Sequence, residues 1–137
     1  MDAGALAREK PIAAGPLPVT RKRPMSPEHK FLTDLYAAFN ARDIDRCLAG
    51  MHSDVTWANG MDGGYVHGHA GVREYWTRQW KLVNPRVDPQ GFQTDGNRLS
   101  VDVHQVVRDM EGTVIFDQMV KHVFTFEDGL VKLFEIA

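Results

Sequence analysis

Apolar residues recur at helical spacing up to about Val83 and at strand spacing beyond it, and this change of period governs what the chain can fold into. Beyond Val83, three turn signals, Asp95-Gly96-Asn97, Glu111-Gly112 and Asp128-Gly129, separate segments rich in Val, Phe, Ile and Thr. That pattern predicts a four-stranded antiparallel meander. Two of the segments, Leu99 to Arg108 and Thr113 to Phe126, are longer than the usual strand of about five or six residues. Strands of that length twist strongly and bulge, so the sheet is expected to wrap around something, and the helices are its natural contents.

The helical half has three segments. Ser26 can accept from free backbone N–H groups, Pro27 suits the first helical position, and Glu28 complements the positive helix end. Phe31, Leu32, Leu35, Tyr36 and Phe39 then form one apolar stripe. Asp43 opens a short second helix in which Ile44, Cys47, Leu48 and Met51 share a face, so Cys47 reads as a packed core thiol. The run from Val55 to Asn59 reads as a strand closed by Gly60, Gly63 and Gly64. From His69, a stripe of Val72, Trp76, Trp80 and Val83 marks a third helix that stops before Asn84-Pro85. The fold expected is therefore α+β, three N-terminal helices packed in the concave face of a curved, mostly antiparallel sheet.

Size and charge narrow the function. A length of 137 residues suits one domain. A net charge of -2 gives no general attraction to nucleic acid, and no apolar run is long enough to span a bilayer. One cysteine cannot form an internal disulfide, so the cytoplasm is the expected location. Residues 1–25 read as a flexible tail before a domain over 26–137. Four prolines interrupt the tail, which carries Arg8, Lys10, Arg21, Lys22 and Arg23 against Asp2 and Glu9. It is expected to be a solvated extension, with a basic contact arm or targeting segment as the alternative, and Met25 leaves open a start of synthesis at that residue.

The order of NARDID helix, HSDVTWANG strand, VHGHAGVREYW helix and HVFTFEDGLVKLFEI hairpin resembles the SnoaL-like, nuclear-transport-factor-2-like superfamily, over about Ser26 to Ile136. The resemblance implies a cone of sheet around helices, an interior pocket for a small hydrophobic organic molecule, and a homodimer paired through the open sheet face. The superfamily holds steroid isomerases, polyketide cyclases, dehydratases and epoxide hydrolases beside non-enzymatic binding modules, so chemistry must come from residues.

The steroid-isomerase pattern needs a tyrosine on the first helix, a carboxylate base after the first strand and a protonated acid on a late strand. Carried onto this sequence, those positions fall on Leu35, Asn59 and His122. Tyr36 stands one residue off, about 100° around the helix. An amide such as Asn59 takes no proton at neutral pH, which disfavours isomerisation by a carboxylate.

His122 is the expected catalytic residue, because strand alternation puts Val120, His122, Phe124 and Phe126 on one apolar face and histidine shuttles protons near neutrality. The bland alternative is a histidine that only satisfies a buried hydrogen bond. Ligand-binding candidates are Asn59, Trp57, Tyr65, Trp76 and Trp80, since aromatics with a polar tip orient flat ligands, although aromatics at helical spacing also simply fill cores. The enzyme reading is an isomerase, cyclase or dehydratase acting without cofactor on a carbonyl or hydroxyl compound; the alternative is a metabolite-binding or dimerisation module. Met119, Val123, Phe134 and Ile136, mixed with Lys121, Thr125 and Lys132, are assigned to the outer, dimer-forming face. No metal is expected: His67 and His69 supply two of the three ligands a catalytic zinc needs, and His69 is expected to cap the third helix.

Overall fold

A computed structural model describes residues 26–137; the expected tail, 1–25, lies outside them. Helix α1, Pro27–Asn40, begins where Ser26 Oγ accepts from the His29 N–H at 3.2 Å, with Pro27 as its first residue. Its stripe buries Leu32, Leu35, Tyr36 and Ala38. Helix α2, Ile44–Ala49, opens on Asp43, whose carboxylate accepts from the Arg46 N–H, and buries Cys47 and Leu48. Burial, with the nearby charge of Asp43, pushes the Cys47 thiol up to about 12, so it packs and does not react.

Strand β1, Met51–Ala58, starts four residues earlier than the sequence indicates, and β2, Tyr65–His67, pairs back on it antiparallel. Helix α3 spans Gly68–Leu82. It follows two strands, so the helices are not all N-terminal as expected. Gly68 has φ +69°, a backbone state that L side chains rarely adopt, and this lets the chain turn from β2 straight into α3. The expected cap is also different. His67 occupies the N-cap position without a side-chain capping bond, while His69 Nε2 donates to the Met51 carbonyl at 2.9 Å and ties the start of α3 to β1.

The meander is β3, Val83–Asp95; β4, Arg98–Asp109; β5, Val114–Glu127; and β6, Leu130–Ile136. The six-stranded sheet has the order β2-β1-β6-β5-β4-β3, antiparallel except for β1 beside β6. Pro85 and Pro89 are tolerated in β3 because it is an edge strand, and the register shifts between Pro89 and Gly91. The Asn40 carboxamide pins α1 to this edge, donating to the Val87 carbonyl at 2.8 Å and accepting from the Val87 N–H at 2.9 Å.

Alternation gives the sheet one face packed under the helices. Leu99, Val101 and Val103 of β4 are at most 1% exposed and join Leu32, Val72 and Trp76 in one core. The expected outer face needs a correction. Phe134 pairs with Phe124 and Ile136 with His122, and directly paired residues point to the same side, so both belong to the inner face. Met119, Lys121, Val123 and Thr125 do alternate to the outer face.

Candidate functional site

Between α1, α3 and the inner sheet face lies a cavity of about 370 Å³. Its wall is largely aromatic, with Phe39, Trp57, Trp76, Phe116, Phe124 and Phe134, and its polar members are Tyr36, Tyr75, Gln79, Gln105 and His122. Among the described residues no Asp, Glu, Lys or Arg lines it. A groove between α2 and α3 is larger, about 900 Å³, but it is a shallow surface lined by charged side chains such as Asp45, Arg73, Glu74 and Lys81.

The polar centre of the cavity is a pair of neutral groups. His122, on β5, is 7% exposed, and its Nδ1 lies 2.8 Å from the Tyr36 hydroxyl of α1. The rings are nearly parallel, 10° apart, with centroids 5.9 Å from one another, and Phe134 meets the imidazole edge-on at 4.8 Å. Burial pushes the imidazole down to about 4 and the Tyr36 phenol well above its ordinary value, so both are uncharged at neutral pH. His122 Nε2 has no hydrogen-bond partner among the described residues.

The side walls are built by stacking. Trp57 lies against Phe134 at 4.1 Å and 19°, and meets Trp76 edge-on at 5.3 Å. The rim is where lining residues are most exposed, at Gly60, Met61 and Ile136. There the Tyr75 hydroxyl, its phenol raised mainly by burial, accepts from the Gly60 N–H at 3.0 Å. A Cβ on Gly60 would stand 3.3 Å from Ile136 Cδ1, tighter than ordinary contact, so a side chain there would narrow the entrance.

The structure thus brings together His122, Trp57 and Trp76 of the six residues expected at the site. Asn59 is a turn former instead: its Oδ1 accepts from the Met61 and Asp62 N–H groups, and it does not line the cavity. Tyr65 is 51% exposed on β2, away from the cavity. Trp80 packs behind the wall against Phe39 and Trp76, with the Arg42 guanidinium 5.1 Å above its ring, and its Nε1 is buried without a partner. Sequence reasoning passed over Tyr36 because the matched tyrosine position fell on Leu35, yet both line the cavity. The available signal was the α1 stripe, which contains Tyr36.

His67 and His69 do not converge. His67 Nδ1 is 3.3 Å from Thr56 Oγ1, whereas His69 is committed to Met51. His52, Glu127 and Asp128 do bring one potential ligand atom each within 4.8 Å, but both acids are exposed and His52 already sits at ion-pair distance, 3.6 Å, from Glu127.

The class of protein is thus an α+β fold, a mostly antiparallel sheet covered by helices that encloses an apolar cavity with a buried neutral polar pair. The chain belongs to the SnoaL-like domain family, whose sequence model matches residues 32–134. It is similar to TerC, crystallised with polyporic acid, at 32% identity over 82% of this chain and 91% of that one, with a TM-score of 0.74. A Burkholderia pseudomallei nuclear-transport-factor-2-like protein of unknown function is 29% identical over the same shares, also at 0.74. A Mycobacterium tuberculosis protein in complex with estradiol-17beta-hemisuccinate shares the fold at 14% identity, over 82% of this chain and 93% of that one, with a TM-score of 0.69. Among curated proteins none matches the chain.

Proposed function

We propose that the cavity binds a small, flat hydrophobic molecule carrying a carbonyl or hydroxyl oxygen, and that His122 shifts a proton on it in an isomerisation, cyclisation or dehydration that uses no cofactor. The observation that carries this reading is the Tyr36–His122 pair, a directional polar group set into an otherwise apolar, uncharged wall. Trp57 and Trp76 act as the flat walls between which the ligand lies. The likeness to TerC, which was crystallised with polyporic acid, supports a cavity that takes a small organic molecule.

A second reading, binding without turnover, is favoured by one observation: no carboxylate lines the cavity among the described residues, and an imidazole held near 4 is a weak base at neutral pH. Native mass spectrometry of the purified protein and of His122→Ala separates a ligand-holding histidine from a purely structural one. A compound that leaves with the variant supports the site; an empty wild type with no thermal shift from ketones, epoxides or phenols would remove it. Converting the bound compound to product in the wild type alone decides for the enzyme.

For assembly, we propose a homodimer through the outer face that carries Met119, Lys121, Val123 and Thr125, Met119 being 56% exposed. Analytical ultracentrifugation at micromolar concentration tests it, and a monomer mass would sink it. The lone reduced Cys47 is in keeping with a cytoplasmic location; among the described residues no helix is long and apolar enough to cross a membrane.

A further inference from the structure

The bond between Tyr36 and His122 has two forms with different consequences for a ligand. If Nδ1–H donated to the phenol oxygen, the Tyr36 hydrogen would need an acceptor of its own, and none is found among the described residues. If the phenol O–H donates to Nδ1, a single 2.8 Å bond satisfies both groups, and a phenol is the stronger donor of the two. The second form leaves the ring proton on Nε2, the nitrogen without a protein partner. The apolar neighbours on both sides, Phe124 and Phe134, offer that N–H no acceptor.

The other polar groups of the wall, Tyr75, Gln79 and Gln105, stand on other elements than the Tyr36–His122 pair. At the rim the Tyr75 hydroxyl accepts from the Gly60 N–H and from the Gln79 amide, which leaves Gln79 Oε1 buried without a partner among the described residues, an acceptor for a hydroxyl elsewhere on the ligand. With no cation on the wall among the described residues, an anionic ligand would lose its hydration without a counter-charge. A ligand whose polar group is only a donor would leave Nε2–H buried and unpaired.

We infer that Tyr36 is a positioning residue that fixes the proton of His122 on Nε2, so that the cavity takes its ligand by an uncharged acceptor oxygen, that of a ketone, quinone or ester on a flat hydrophobic frame. The ligand half of this inference rests on the cavity being a ligand site; the tautomer half does not.

Nitrogen-15 NMR of the whole labelled protein at pH 7 reads the tautomer directly. The expected result is a proton on Nε2 and a bare Nδ1 in the wild type, and a mixture of tautomers in Tyr36→Phe. A proton on Nδ1 in the wild type overturns the inference and needs no variant; an unchanged ring in Tyr36→Phe also overturns it. Four probes of one shape read the ligand half by titration: 9-fluorenone, fluorene, 9-fluorenol and fluorene-9-carboxylate. 9-Fluorenone should bind about tenfold more tightly than fluorene, 9-fluorenol should fall between them, and the carboxylate should bind weakest. His122→Gln, which keeps an N–H donor, should retain the ketone preference, and His122→Leu should erase it. A carboxylate or alcohol that binds more tightly than the ketone refutes the ligand class. Binding of none of the four refutes the cavity reading and the ligand class together, while the NMR result still stands or falls for Tyr36.

Discussion

His104 and His122 stand on neighbouring strands of one sheet, with hydrogen bonds of nearly equal length, and their surroundings could hardly differ more. His104 Nε2 lies 2.7 Å from Asp117 on the outer face, where both side chains are about half exposed. His122 Nδ1 lies 2.8 Å from a neutral phenol in the core. The outer pair is an exchangeable surface contact that water can replace. The inner pair is a fixed device, because among the described residues neither partner has another bonded group and neither can ionise cheaply. Alternation along a strand, a matter of one residue, decides between the two.

The largest break in that comparison comes from the packing around the inner histidine. Phe124→Ala, at a side chain 1% exposed, should cost about 3–5 kcal/mol by urea unfolding, whereas Thr125→Ala on the outer face should stay within about 0.5 kcal/mol.

Acid titration comes next. His122 has an ordinary value of 6.5 and is held at about 4 in the fold, so between those limits the unfolded chain binds a proton that the folded chain refuses. Stability is full above about pH 6.5 and falls as pH drops toward 4, by up to about 3 kcal/mol. Unfolding curves at pH 7 and pH 4.5 should therefore differ more for the wild type than for His122→Gln, and equal differences would show that the burial of this ring carries no such linkage.

Tyr36→Phe removes the partner that a buried ring nitrogen has among the described residues, with an expected loss of about 1–3 kcal/mol and an upward shift of the His122 titration seen by NMR. The smallest effect belongs to the outer face. Asp117→Asn should change stability by less than about 1 kcal/mol, and less still at high salt. If it cost as much as Tyr36→Phe, the outer pair would have to be buried in an assembled state, which would strengthen the case for a dimer through that face.

Much of the fold was legible because its signals are local. Ser26 and Asp43 mark helix starts by their own side chains, and the acidic-glycine turns separate the meander strands. What escaped was non-local. The parallel pairing of β1 with β6 leaves no trace in either segment, and the short β2 gains its strand character from pairing with Thr56, Trp57 and Ala58. The inward turn of Phe134 and Ile136 follows from their register with Phe124 and His122, which alternation within β6 alone does not supply. At the site, His122 was readable from a strand with one apolar face. Tyr36 was passed over although it stands in the α1 stripe, because a cavity beside a helix touches several positions of such a stripe, here 35, 36 and 39, and not the single matched one. Asn59 was misplaced for a reason visible in the sequence, since asparagine ahead of Gly60 and Gly63 has turn chemistry of its own.

The placement of β6 sets an order of events in the life of the chain. Residues 130–136 sit between β1 and β5, so one half of the sheet is joined to the other only through them. Until the ribosome has delivered that segment, the β1–β2 hairpin and the β3–β5 ribbon are two separate pieces with exposed edges, and Trp57 has no Phe134 to stack on. The wall of the cavity is therefore closed only by residues 130–136, after every other described element around it has been made.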